Sequence, residues 1–190
     1  MIDLNSLGNS VVFNNGAAGK VENLKLRVEK KDLADTSNQP DFKVFVTQQN
    51  GAEINQGFYY PDDNTDQDRL NQLVSRVVSI AKALVPEDFQ FESVEGKSPR
   101  QIIDYIFDVI TKHADNTLVN VFTTYGTVNN PKKYLQFRYF NFIEKAGTEP
   151  STLFARNNDQ MASVEASTAN NNSAFGAPTT PSNGGVPGWS

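Results

Sequence analysis

The residues best suited to chemistry in this chain lie between positions 117 and 145. Phe122, Tyr125, Tyr134, Phe137, Tyr139, Phe140 and Phe142 crowd that stretch, and Lys132, Lys133, Arg138 and Lys145 stand there against a single acid, Glu144. The whole chain carries a net charge of −5, so these bases concentrate positive charge within an acidic background. An aromatic ring can stack on any unpaired base, and a neighbouring Arg or Lys can pair with phosphate. Alternation along 134–144 places Tyr134, Gln136, Arg138, Phe140 and Phe142 on one face, and Leu135, Phe137, Tyr139 and Ile143 on the other. The first face mixes a cation with rings and is the expected nucleic-acid surface. Lys132 and Lys133 are expected at the basic tip of the hairpin leading into it. The competing reading is a strand buried on both faces, with Arg138 paired to a carboxylate, since aromatic residues favour strands in any case. Phe122 and Tyr125 on the preceding strand, Lys25, Arg27 and Lys43 on polar strand faces, and Tyr59 in the FYY run at 58–60 extend the candidate surface.

Catalysis finds few candidates. The only histidine, His113, falls at the end of an expected helix, where it complements the helix dipole. No P-loop, G-x-S-x-G or H-E-x-x-H run occurs. The absence of cysteine removes disulfides, thiolate nucleophiles and most structural zinc sites. In DDNTDQD (62–68), Asp62, Asn64 and Asp66 have the spacing of calcium-loop ligands. Gln67 stands where that loop needs glycine, however, and Leu73 where it needs glutamate. The run reads as the solvated start of a helix. The expectation is a chain without enzymatic activity, cofactor or metal. MIDLNSLGNSVVF lacks the regions of a signal peptide, and no stretch approaches the ~20 apolar residues of a membrane span. A cytoplasmic protein with no membrane contact is expected.

These residues need elements to position them. Leu24, Leu26 and Val28 alternate with Lys25, Arg27 and Glu29, the period of a half-buried strand. Phe42, Val44 and Val46 repeat the pattern, and Asn50-Gly51 suggests a tight hairpin into a strand over 53–60. Leu70, Leu73, Val74, Val77, Val78, Ala81 and Leu84 mark one helix, with Thr65 and Asp68 spaced as a capping box and Pro86 as its stop. Ser98, Pro99 and Gln101 open a second helix, whose apolar face includes Ile102, Ile103, Ile106, Phe107 and Ile110. Strands over 118–125 and 134–144 follow. Residues 163–190 hold one charged residue, Glu165, among Asn, Ser, Thr, Ala, Gly and Pro. Such a composition cannot bury enough apolar surface to offset chain entropy. The organisation read from this is an N-terminal arm (1–19), one domain (20–146) and a disordered tail (147–190). The fold class is α+β, mainly β: an OB-like five-stranded barrel with two helices between strands 3 and 4.

The strand order over 20–145, the GFYYP segment (57–61), LVNVFTTYG, YLQFRYFNFIE and the low-complexity tail together resemble a bacteriophage single-stranded DNA-binding protein. The resemblance implies a barrel whose aromatic and basic face holds a DNA strand. It implies a role in replication and recombination, with proteins of those processes as partners through the tail. Host cytoplasm is the implied location. In that family the tail is commonly acidic with a hydrophobic tip. Here it is neutral and ends GGVPGWS, leaving Phe175 and Trp189 as its expected anchors. A rival from another class is a virion or assembly protein with a β-sandwich and an adhesive tail. A nuclease using the acidic cluster ranks below both.

Overall fold

The computed structural model describes residues 11–32, 37–62 and 65–163. Its first strand, β1 (Gly19–Lys30), buries Val21, Leu24 and Leu26. Strict alternation would put Val21 and Leu24 on opposite faces. Both are buried because the register slips between them, with Asn23 at φ 57, a β-bulge that bends the strand. β1 thereby serves two partners. Its first half pairs with β4 (Leu118–Thr127) and its second with β2 (Phe42–Thr47), and Lys25 belongs to both ladders. β2 pairs in turn with β3 (Glu53–Phe58). On the other side of β4, β5 (Asn130–Phe137) and β6 (Ile143–Lys145) occupy successive stretches of one edge.

The result is an open, six-stranded antiparallel sheet in the order β3-β2-β1-β4-β5, with β6 also on β4. Its two ends approach one another, since Cα atoms of β3 and β5 come within 8 Å. No ladder joins them. The closed barrel expected from the element order is therefore replaced by a curled sheet whose last seam lacks backbone hydrogen bonds.

Two helices follow β3, as the sequence pattern requires: α1 (Gln67–Leu84) and α2 (Pro99–Ala114). The cap of α1 is Asp66, which accepts from the Arg69 amide at 2.8 Å, while Thr65 bonds back to Asp62. A carboxylate at the cap also meets the positive end of the dipole, which the Thr65 hydroxyl cannot do. Ser98 and Gln101 form the expected capping box on α2. The helices bury Val77, Ile80, Ala81 and Leu84 on α1, and Ile103, Ile106, Phe107 and Ile110 on α2. Phe107 stacks on Phe42 at 3.9 Å between centroids and meets Phe58 edge-on at 5.6 Å. α2 is thus fastened to β2 and β3, and each such ring contributes about 2–3 kcal/mol through burial.

Several local expectations are corrected. Residues 48–52 form the turn after β2, closed by Gln48 N–H to the Ala52 carbonyl at 2.8 Å. Only Gly51, at φ 84, has positive φ there, so the Asn50-Gly51 pair is not a two-residue type I′ turn. The next hairpin is tighter than expected. Thr127 pairs with Asn130, so Val128 and Asn129 are the whole loop and Lys132 and Lys133 lie within β5 rather than at a basic tip. Gly126, at φ 86, permits this: a Cβ there would sit 2.4 Å from the Asn130 carbonyl oxygen. The strand expected over 134–144 is interrupted. Residues 138–142 leave the ladder, with Asn141 at φ 49, and the chain rejoins β4 as β6.

The boundaries also move. Phe13 is buried, Tyr125 Oη donates to the Gly16 carbonyl, and Asn14 N–H donates to Gln48, so residues 11–18 belong to the body. So do residues 147–163. Leu153 is buried, and residues 158–160 bond to the backbone of Tyr125–Val128, on a stretch of β4 beyond the start of β1. Of the segment read as a tail, residues 164–190, with Phe175 and Trp189, lie outside the described residues. Among the described residues no helix is long and apolar enough to cross a membrane.

Candidate nucleic-acid interface

The excursion at 138–142 decides which side chains face solvent. Arg138, expected at the surface, points inward. Its Nε donates to the Phe140 carbonyl at 3.0 Å, Nη1 to the Phe154 carbonyl at 2.7 Å and to Asp159 at 3.0 Å, and Nη2 to the Asn141 carbonyl. The guanidinium lies 4.3 Å from the centroid of the Phe122 ring. Both members of the Arg138–Asp159 pair are nearly inaccessible, at 6% and 7% side-chain exposure. The alternative reading of this strand, an arginine paired with a carboxylate, therefore holds for Arg138. Phe122 is buried beneath it, and Tyr125 is buried with its hydroxyl on Gly16. Phe122 and Tyr125 are removed from any surface a ligand could reach, and Arg138, although it borders a small cleft, is committed to these partners. Arg138 instead ties the excursion to the segment 151–160, hereafter the strap.

Glu144 is the second tie. It accepts from Ser151 Oγ and the Thr152 amide, each at 2.8 Å, and from Asn120 Nδ2 at 3.1 Å. Burial by itself would raise its carboxyl. The hydrogen bonds outweigh burial and hold it at about 2.

What remains outside is a short aromatic surface. Tyr134 on β5 is 74% exposed, and Tyr139 and Phe140, carried out of the sheet by the excursion, are 47% and 46% exposed. Tyr139 and Phe140 meet edge-to-face at 4.5 Å between ring centroids, a favoured arrangement of aromatic pairs. Lys133 lies 5.7 Å from the Tyr134 ring, and Lys132 is exposed beside it. Next to the pair opens a cleft of about 190 Å³ whose lining includes Tyr139, Phe140, Gln136 and Arg156, with the Arg138–Asp159 pair also bordering it. The strap supplies exposed Arg156 and exposed Phe154.

The other expected site residues lie elsewhere. Lys25 and Arg27 line a larger cleft, about 410 Å³, between β1 and the end of α2. Arg27 is already committed there: it is paired with Glu29 and Glu53 and stacked on Phe45. That cleft has no aromatic ring in its lining, which makes it a poorer match to a stacked base. Lys43, on β2, belongs to a third region with Lys30 and Lys31. Tyr59 is 56% exposed just past the end of β3. In the acidic run, Asp66 caps α1, and residues 63 and 64 lie outside the described residues. Among the described residues no group of three or more His, Cys, Asp or Glu side chains could hold a metal.

Sequence reasoning missed Tyr139, Phe154 and Arg156. Tyr139 was placed on the inner face because strict alternation was carried through 138–142, where the ladder breaks. The strap had a signal. Leu153, Phe154, Arg156 and Asp159 keep apolar and charged residues in play until about 163, where charge falls away. Comparison of the chain with family models, with curated proteins and with solved structures gives no match.

Proposed function

We propose that this chain is a non-enzymatic protein that binds single-stranded DNA without sequence preference, through the surface formed by Tyr134, Tyr139 and Phe140. The observation that carries the reading is the exposure of these three rings, on β5 and on the excursion that follows it, at 74%, 47% and 46%. Burial would normally recover the hydrophobic contribution of such rings, and a stacked base recovers it equally well. Stacking contributes ~1–3 kcal/mol per base and is indifferent to sequence. Lys132, Lys133 and Arg156 supply charge for the phosphates around an otherwise acidic molecule. The strand order, the helices between β3 and β4, and the approach of β3 to β5 support an OB-like, partly open barrel, an architecture whose surfaces suit extended strands. The site differs in its details from the sequence-based expectation: Tyr139 and Arg156 take the roles first given to Phe122 and Arg138.

The test is titration of the full chain with a labelled oligo-dT of ~30 nucleotides, ample for an OB site of ~4–16, at two salt concentrations. Binding should weaken as salt rises, with a slope of about −0.7 per phosphate contact. Tyr134→Ala combined with Phe140→Ala should weaken it at least tenfold, consistent with loss of ~1–3 kcal/mol per stacked base. Absence of binding at low salt refutes the proposal.

A further inference from the structure

Arg76 is a partly buried cation that, among the described residues, has no carboxylate partner. Arg76 on α1 points toward the seam where β3 meets the excursion after β5. Its guanidinium lies 4.5 Å from the Tyr139 ring centroid, 5.4 Å from Phe58 and 5.5 Å from Phe142. Its Nε is fully buried with no hydrogen-bond partner. Among the described residues no carboxylate pairs with it. Its own helix offers none, since positions 72, 73, 79 and 80, one turn away on either side, are Gln, Leu, Ser and Ile.

The contrast with its neighbours is informative. Arg27 and Arg138 also sit on rings, but each has a carboxylate as well. Arg76 has rings alone, and burial lowers its pKa. A desolvated charge without a counter-charge is costly, and a π face recovers only part of that cost. The Arg76 side chain is only half-buried, and its rim is Tyr139, nearly half exposed. Tyr139 thus has Arg76 against its ring and the Arg156 cleft beside it.

We infer that Arg76 is an anion site, and that its ligand is one phosphodiester of the strand stacked on Tyr139 and Phe140; the identity of that ligand rests on the function proposed above. The guanidinium offers a planar fork of donors suited to phosphate oxygens. The surrounding rings exclude water and strengthen the contact.

The experiment compares the full chain with its Arg76→Met variant in two assays. In oligo-dT titrations across a salt series, the variant should bind at least tenfold more weakly, the weight of one charge-assisted contact of about 1.5 kcal/mol or more. Its salt slope should shrink by about 0.7, the signature of one phosphate lost. In thermal melts at matched ionic strength, inorganic phosphate should stabilise the parent over chloride by more than it stabilises the variant, whose gain is only the general effect of a kosmotropic anion. The variant's melting temperature in chloride should change little, because the cation–π contacts it loses are offset by removing the cost of a desolvated charge. If the parent fails to bind oligo-dT but shows Arg76-dependent stabilisation by phosphate, the anion site stands and the single-strand reading falls. If parent and variant bind oligo-dT with equal affinity and slope, or gain equally from phosphate, the Arg76 site is overturned and the aromatic surface is unaffected. Should Arg76→Met not fold, Arg76→Gln, polar and uncharged, carries the same two comparisons.

Discussion

Replacing Arg138 by alanine is the sharpest test of the tertiary arrangement, because surface and interior placements predict opposite outcomes. In the structure the change breaks an ion pair whose partners are 6% and 7% exposed. It also strips donors from the Phe140, Asn141 and Phe154 carbonyls. Breaking a buried pair by removing one partner costs about 3–5 kcal/mol. Asp159 retains one compensating contact, the Arg156 amide at 2.9 Å, which places the effect toward the lower end, about 3 kcal/mol. For a domain of this size that corresponds to a fall of roughly 10 °C in melting temperature. Urea denaturation followed by circular dichroism measures it, since the only tryptophan, Trp189, lies outside the described core. Asp159→Asn should be similarly harmful, and the double variant should cost less than the sum of the two, because it leaves no buried charge behind. A variant that melts within ~2 °C of the parent yet loses single-strand affinity per folded molecule would refute the argument. That result would put the guanidinium at the surface.

Other consequences are as direct. Glu144 has its carboxyl at about 2 in the fold against an ordinary 4.5. Its stabilisation, about 3 kcal/mol, is complete above pH ~4.5 and is lost as pH falls toward 2. Urea midpoints measured down this range should fall less steeply in Glu144→Gln than in the parent, and equal slopes would show that the carboxylate is not held as described. A chain ending at 163 should melt like the full chain, whereas one ending at 146 loses Leu153, Asp159 and the contacts of 158–160, and should melt well below it; coincident melts would return the strap to the tail. Gly126→Ala, which brings a Cβ to 2.4 Å from a backbone oxygen, should destabilise more than Gly51→Ala, where φ is equally positive and nothing lies within 4 Å. Matched thermal melts of the two variants test whether that steric contact exists.

Much of the fold was legible in the sequence because it rests on local periodicity. The alternation of Leu24, Leu26 and Val28, the stripe from Leu70 to Leu84 and the Ser98–Gln101 capping box each concern groups a turn or a few residues apart, where backbone geometry alone dictates the outcome. The same reasoning placed Phe137 in the core, where it is 3% exposed. It failed where a register breaks. A bulge at Asn23 and the excursion at 138–142 each reset the alternation, and after a reset every side chain changes face. Sequence composition therefore located the aromatic, basic stretch 117–145 but could not say which of its rings face water. That was decided by partners remote in the chain. Asp159, 21 residues on, draws Arg138 inside, and the break that accompanies it turns Tyr139 and Phe140 out. Arg76, 63 residues before Tyr139 in sequence, meets that ring only because α1 packs against β6, the strand into which the excursion leads. Sequence reasoning passes over Arg76, which lies at the flank of the Leu70–Leu84 stripe; that no carboxylate among the described residues comes to meet it is a property of the assembled molecule alone.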